Sequence, residues 1–212
     1  MSQIHLHNLF PVPVMRVEKF LTEIEIAATV AAIRSSPRLT NSQNDLLSHT
    51  EVMRWDGNDH YRNIGDKAQA FLRDFGFLLF GENLHWHIKE MWMNLLATGG
   101  HQSMHTHANS FISGVVYLTE SDASAKTVFH NTMGSRAYVF SNHHADAAIT
   151  PYNADRWVAS DIECGDLLLF PSYMLHAVPR NEGGERITVA FNALPERLKS
   201  WDYEVGFSIP EQ

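Results

Sequence analysis

His105-Thr106-His107-Ala108-Asn109-Ser110-Phe111-Ile112-Ser113-Gly114-Val115-Val116-Tyr117-Leu118-Thr119 is the stretch on which the reading of the chain turns. Its second half, 113–119, is β-branched and aromatic-rich, the composition of a strand. In an extended chain successive side chains alternate faces, so His105 and His107 point the same way. That odd face continues through Asn109, Phe111, Ser113, Val115 and Tyr117 if no bulge intervenes. Neutral imidazole is the commonest metal ligand, and two on one rigid strand form half of a metal site.

Upstream, residues 85–96 (His-Trp-His-Ile-Lys-Glu-Met-Trp-Met-Asn-Leu-Leu) read as one extended run that turns at Gly99-Gly100. Downstream, short strands are expected at Thr127–His130, Ala137–Phe140, Arg156–Ala159, Leu167–Phe170, Leu175–Val178 and Arg186–Asn192. Many short strands with few helices between them argue for a jelly roll or barrel. His176 ends the apolar run that begins at Leu167 and supplies a third imidazole. Asn181-Glu182-Gly183-Gly184 reads as a hairpin turn, which would set the His176 and Arg186 strands side by side. In Arg186-Ile187-Thr188-Val189-Ala190-Phe191-Asn192, Arg, Thr and Asn alternate with Ile, Val and Phe. The polar face is a candidate cavity wall, where an anion on a bound metal would extend towards Arg186 and Thr188. Arginine offers a carboxylate a fixed, bidentate fork.

The N-terminal part has a different texture. Residues 8–20 suit an edge strand, with prolines at alternate positions. A helix is expected over 21–35, capped by Thr22 and ended by Pro37. Residues 38–62 read as an irregular connection, with loop chemistry at Asn41-Ser42-Gln43-Asn44 and Trp55-Asp56-Gly57-Asn58-Asp59; so long a loop is often functional. A second helix is expected from about Asn63 to Phe80, burying Ile64, Ala68, Phe71, Leu72 and Phe75 and stopping at Gly81. The two helices form a layer against the outside of a sheet. The chain thus reads as mainly β (α+β) and one domain: 1–84 edge strand, helices and loop; 85–195 jelly-roll core; 196–212 C-terminal extension.

Composition narrows the function classes. The 212 residues are 44% apolar and 19% charged with a formal charge of −8, the balance of a folded protein. No basic run is present, so an electrostatic nucleic-acid footprint is absent. The single cysteine, Cys164, excludes an intrachain disulfide framework and fits a reducing compartment; it has no basic neighbour to activate it. No leader peptide or membrane-length apolar run is read, and a cytoplasmic location is expected. Exposed edge strands leave room for a homodimer.

The motifs, taken in order, carry a resemblance. Trp92-Met93-Asn94, His105-Thr106-His107, Ser113-Gly114-Val115-Val116-Tyr117-Leu118, Gly165-Asp166-Leu167-Leu168-Leu169-Phe170-Pro171-Ser172 with His176, and Arg186-Ile187-Thr188 resemble the Fe(II)/2-oxoglutarate-dependent dioxygenases. Within that superfamily they are similar to a group of small bacterial and phage proteins. The resemblance implies a double-stranded β-helix of the cupin-like jelly-roll type with iron at its mouth. It assigns His105 and His176 to the first and last metal ligands, Arg186 to the distal carboxylate of 2-oxoglutarate, and Thr188 to the hydroxyl two residues on. Tyr117 and Asn94 become further cosubstrate contacts or supports. The implied reaction is hydroxylation of a small-molecule or peptidyl substrate, with release of succinate and CO2.

One departure stands out. The superfamily usually has Asp or Glu two residues after its first histidine, and this chain has His107. A three-histidine set lacks the carboxylate's charge and also suits zinc, copper and nickel; Asp155 or Asp161 are alternative sources of a carboxylate. Two other readings stay open: a three-histidine cupin-type dioxygenase that does not use 2-oxoglutarate, and a non-catalytic metal-containing binding module. His101 and the group His143-His144-Asp146 read as loop residues, and Trp86, Trp92, Trp157 and Trp201 as core or interface. The 38–62 loop and the stretch 131–155 are expected to shape the substrate entrance.

Overall fold

Residues 3–41, 46–131 and 144–208 are described by a computed structural model. In chain order the elements are β1 (Met15–Val17), α1 (Glu23–Ser35), β2 (Leu39–Thr40), β3 (Leu47–His49), α2 (Asp59–Phe80), β4 (Trp86–Leu96), β5 (Gln102–His105), β6 (Ile112–Tyr117), β7 (Val128–His130), β8 (Arg156–Val158), β9 (Leu167–Pro171), β10 (His176–Val178), β11 (Arg186–Pro195), β12 (Arg197–Ser200) and β13 (Tyr203–Gly206). Among the described residues the strands form three antiparallel sheets. A large one runs β1-β9-β6-β11-β4-β3-β2, a smaller one β5-β10-β7-β8, and β12-β13 is a hairpin. This is the jelly roll expected from the strand spacing.

The period-two pattern of the central strands decides which face meets which layer. On β11, Ile187, Val189 and Phe191 face outwards and join Met91, Met93, Val116, Leu167 and Leu169 in the main core. Helix residues Ile33, Ile64, Ala68, Leu72 and Phe75 complete that core, so the helical layer lies on the outside of the large sheet as expected. Contact is close enough that a Cβ on Gly114 would overlap the Phe191 ring, and one on Gly76 the Trp86 indole. The opposite face of the large sheet turns towards the small one. There Phe129 and Phe170 meet edge to face at 5.0 Å, closing the roll behind the histidines.

Local chemistry fixes the ends of the elements. Thr22 and Glu25 form a capping box on α1. Asp166, 1% exposed, accepts from Arg16 Nε at 2.7 Å and from the backbone N–H groups of Lys19 and Glu163, pinning edge strand β1 to the turn before β9. No helix of the described residues is long and apolar enough to cross a membrane.

Four expectations are corrected. The histidine strand does not run on from His105 to Tyr117: β5 ends at His105, Asn109 takes φ +53°, and the chain crosses from the small sheet to β6 of the large one. Residues 38–62 are not wholly irregular, because β2 and β3 extend the large sheet along β4 and Met53 bridges Met91. Helix α2 starts at Asp59, ahead of Asn63, because the Asn58 side chain read as loop chemistry caps it by accepting from the Tyr61 N–H. Residues 181–184 do not close a hairpin. Asn181 exchanges backbone hydrogen bonds with Gly99 and Gly100, and its Nδ2 donates to Gly184 O, so the segment arches from β10 in one sheet to β11 in the other. The expected strand 137–140, Ser42-Gln43-Asn44 and His143 lie outside the described residues.

Candidate metal centre and cosubstrate cavity

Two of the three histidines are brought together by strand register. His176, first residue of β10, pairs directly with His105, last residue of β5, and their rings stand 4.3 Å apart. His107 lies two residues beyond the end of β5, where its backbone N–H donates to Ser172 O at 3.0 Å. That bond turns its ring back, so that its Nε2 lies 3.3 Å from His176 Nε2. The three offer ligand atoms within 4.8 Å of one another, the only such group of histidine, cysteine or carboxylate side chains among the described residues.

The donor set fits a transition metal. His105 Nδ1 faces Ser103 O at 2.8 Å and His176 Nδ1 faces Met174 O at 2.9 Å, which turns both Nε2 lone pairs inwards. Ligand nitrogens at about 2.1 Å from one ion stand about 3 Å apart, close to the spacing seen between His107 and His176. Burial, reinforced by His105, holds the imidazoles of His107 at about 4 and His176 at about 3, so both are neutral and able to ligate near neutrality. Asp161 is engaged with Arg16 and Asp155 lies apart from the cluster; neither completes the set.

Beside the histidines lies a cavity of about 290 Å³. Its floor is built from rows across the large sheet. His49, Asn94, Thr188 and Tyr117 are aligned across β3, β4, β11 and β6, and Leu47, Leu96 and Arg186 form the next row. Asn94, Thr188 and Arg186 line the cavity with Trp92, Gln102 and Thr127.

Arg186 is 5% exposed. Its Nε donates to Ser121 Oγ and its Nη2 to Thr127 Oγ1, each at 3.2 Å, and its guanidinium carbon lies 5.2 Å over the Tyr117 ring. Burial pushes its pKa down from the usual arginine value. Among the described residues no carboxylate pairs with it. Tyr117 itself is fully buried and its hydroxyl engages Thr127 at 2.7 Å, so it supports the guanidinium from below.

Thr127, Ser121, Gln102 and His49 were missed in the sequence reading. Thr127 opens a strand that was expected, but nothing in its neighbours marks it as a partner of Arg186. His101 lies outside the histidine group, and His144 pairs only loosely, at 4.0 Å, with the exposed Asp146.

On this jelly-roll frame three imidazoles converge beside a cavity walled by a buried arginine, an arrangement able to hold a metal and an anion. The comparisons narrow this. The family described as "Putative 2OG-Fe(II) oxygenase" matches residues 90–192, which carry all three histidines and Arg186. No curated protein matches the chain in sequence. Among solved structures it is similar to HygX of Streptomyces hygroscopicus, crystallised with nickel and 2-oxoglutarate, at 12% identity and TM-score 0.65, over 87% of this chain and 83% of that one. An oxidoreductase of the 2OG-Fe(II) oxygenase family from Burkholderia pseudomallei gives 14% identity and TM-score 0.60, over 85% and 83%. A viral collagen prolyl hydroxylase from Paramecium bursaria Chlorella virus-1, in its 2OG complex, gives 14% and 0.55, over 85% and 94%. Residues 90–192 thus match a 2OG-Fe(II) oxygenase family, and the fold of the chain is that of solved enzymes of this class.

Proposed function

We propose that the protein is an Fe(II)- and 2-oxoglutarate-dependent dioxygenase in which His105, His107 and His176 hold the metal and Arg186 receives the distal carboxylate of 2-oxoglutarate. The observation that carries this reading is the buried guanidinium without an anionic partner among the described residues. A desolvated, unpaired cation is costly, and a ligand carboxylate arriving beside it removes that cost. Thr188, one strand step away on the same face, is suited to donate its hydroxyl to the same carboxylate. Asn94, its neighbour in register on β4, would contact the cosubstrate from the side.

When bound, Fe(II) supplies the redox chemistry of the class, in which 2-oxoglutarate and O2 give succinate and CO2 while the prime substrate is hydroxylated. The chain's own part is to bind, orient and dry the site. Thr127 and Tyr117 fix the plane of the Arg186 fork. Leu96, Val115, Val178 and Ala190 line the cavity and exclude water from the ionic contact. Trp92, whose ring lies 5.8 Å from that of His107, shields that ligand from solvent. Asn41 and His49 reach the cavity from β2–β3 and the loop after β2, so this edge extension is the wall that would meet a small-molecule or peptidyl substrate. The lone, half-buried Cys164 supports a reducing compartment, the cytoplasm.

The uncharged ligand set is the one feature favouring a three-histidine oxygenase that works without 2-oxoglutarate; the buried Arg186, with no carboxylate partner among the described residues, weighs against it. Anaerobic titration of the Fe(II)-loaded protein with 2-oxoglutarate separates the two. A visible metal-to-ligand charge-transfer band that weakens in Arg186→Met is the expected result. Iron at one per chain with no band would sink the proposal.

A further inference from the structure

Outside the three histidines, the next polar row of the large sheet has no role in the reading above. Glu90, Asn192 and Ser113 are aligned across β4, β11 and β6. Asn192 Nδ2 donates to Glu90 Oε1 at 2.7 Å, and its Oδ1 accepts from Ser113 Oγ at 2.7 Å. The same Nδ2 lies 3.5 Å from His107 Nδ1. His105 and His176 each turn their outer nitrogen to a carbonyl; His107 turns its outer nitrogen to a donor.

That difference bears on the tautomer of His107. With the amide this way round, a hydrogen bond to His107 requires Nδ1 to accept, and the ring hydrogen would then sit on Nε2, 3.3 Å from His176 Nε2. A metal held by His107 Nε2 needs the opposite: Nε2 bare and the hydrogen on Nδ1. Two donors would then face each other. We propose that Asn192 is the positioning residue of His107, and that its carboxamide turns over when the metal is held, the oxygen accepting from His107 Nδ1–H and the nitrogen donating to Ser113. The proposal rests on the three histidines being the metal centre.

The serine ladder favours the turned amide. Ser113 contacts Ser172 at 2.9 Å, Ser172 contacts Ser110 at 3.0 Å, and Ser110 contacts Ala193 O at 3.2 Å. With Asn192 Oδ1 at the head, four contacts in a line share three hydroxyl hydrogens, so one contact goes without. With Nδ2 at the head the amide supplies the fourth, and each of these four contacts has a donor, Ser110 sharing its hydrogen between Ala193 O and Ile112 O. Glu90 loses one partner but keeps Lys89 at 3.0 Å, and with its side chain 31% exposed it turns towards water. Glu90, which accepts from Nδ2, holds the amide unturned, so the turn requires its carboxylate to swing away as the metal is held.

The test needs no turnover. Co(II) is titrated into the wild type, Asn192→Asp and Asn192→Leu, following the visible ligand-field bands, with melting curves recorded for each. Aspartate keeps an acceptor for His107 Nδ1–H and leucine removes it. Asn192→Asp is expected to bind Co(II) within a few-fold of wild type, and Asn192→Leu 10- to 100-fold more weakly. In wild-type protein loaded with Zn(II), the 15N spectrum of the histidine rings should show the hydrogen of His107 on Nδ1; this stands even if the leucine variant folds poorly. Failure of wild type to bind Co(II) at one per chain overturns the metal centre and this proposal together. Tight Co(II) binding by a folded Asn192→Leu, or a His107 Nδ1 without hydrogen in the Zn(II) protein, overturns this proposal alone.

Discussion

Arg186 Nη2 lies 3.2 Å from Thr127 Oγ1, and the same hydroxyl lies 2.7 Å from that of Tyr117. Around this buried cation the described partners are all neutral, which makes it a liability until a ligand arrives. Arg186→Met keeps the volume and removes the charge. In metal-loaded protein without 2-oxoglutarate the variant should melt at or above the wild-type temperature. A saturating excess of 2-oxoglutarate near 100 times its Kd should stabilise wild type by about 2.7 kcal/mol and leave the variant unmoved. Equal thermal shifts in the two proteins would remove Arg186 from the cosubstrate site.

Tyr117→Phe tests support as distinct from contact. The ring remains under the guanidinium, while Thr127 loses one hydrogen-bond partner. A hydrogen bond contributes about 1 kcal/mol, so affinity for 2-oxoglutarate should fall about 5-fold with turnover at saturation unchanged. A fall of several hundred-fold would mean that the Tyr117 hydroxyl touches the cosubstrate itself.

The histidines predict a graded response to metal removal. A chelator should lower the melting temperature, since a ligand bound only by the folded state stabilises it by mass action. His176→Ala should abolish the response, because His176 is the one buried member of the group and its Nε2 lies 3.3 Å from that of His107. Melting curves with and without chelator for the three alanine variants give the ranking. A chelator effect that survives in His176→Ala would move the metal elsewhere.

How much of this was legible depends on how local each cause is. The face of β11 that carries Arg186 and Thr188 follows from alternation within seven residues, and so was readable. Alternation says which face a side chain takes and nothing about which sheet its strand joins. His105 and His107 therefore meet as expected, but by another route: one from a strand end, the other from a crossing chain held by Ser172. Whether residues 181–184 make a hairpin or an arch is decided by Asn181 bonding to Gly99 and Gly100, far away in sequence. Asn192 was readable as a member of the polar face. Its pairing with Glu90 and Ser113 exists only once three strands are in register.

Asp166 offers a test of the frame that carries the site. Its carboxylate, 1% exposed, joins Arg16 and the backbone N–H groups of Lys19 and Glu163, and so ties β1 and the turn after it to the turn before β9. Asp166→Ala leaves these donors without their acceptor and should cost about 3 kcal/mol in urea unfolding, the usual scale for breaking a buried pair on one side. A loss below about 1 kcal/mol would mean that water replaces the carboxylate readily.

Glu25 ties the two helices together, and pH isolates its charge. Its carboxylate accepts from Lys67 Nζ, Asn63 Nδ2 and the Thr22 N–H, which hold its pKa down to about 2, against 4.5 for a free glutamate side chain. A folded-state pKa below the unfolded value gives stability that is fully present above pH 4.5 and lost as pH falls from there towards 2. Glutamine preserves the capping box and removes only the charge. Glu25→Gln should therefore be less stable than wild type by about 1 kcal/mol at neutral pH, the upper end for a partly exposed ion pair. The two proteins should converge as the pH approaches 2. Urea unfolding of both at several acid pH values measures the gap directly, and a gap that stays constant down to pH 2.5 would show that the pair with Lys67 contributes nothing.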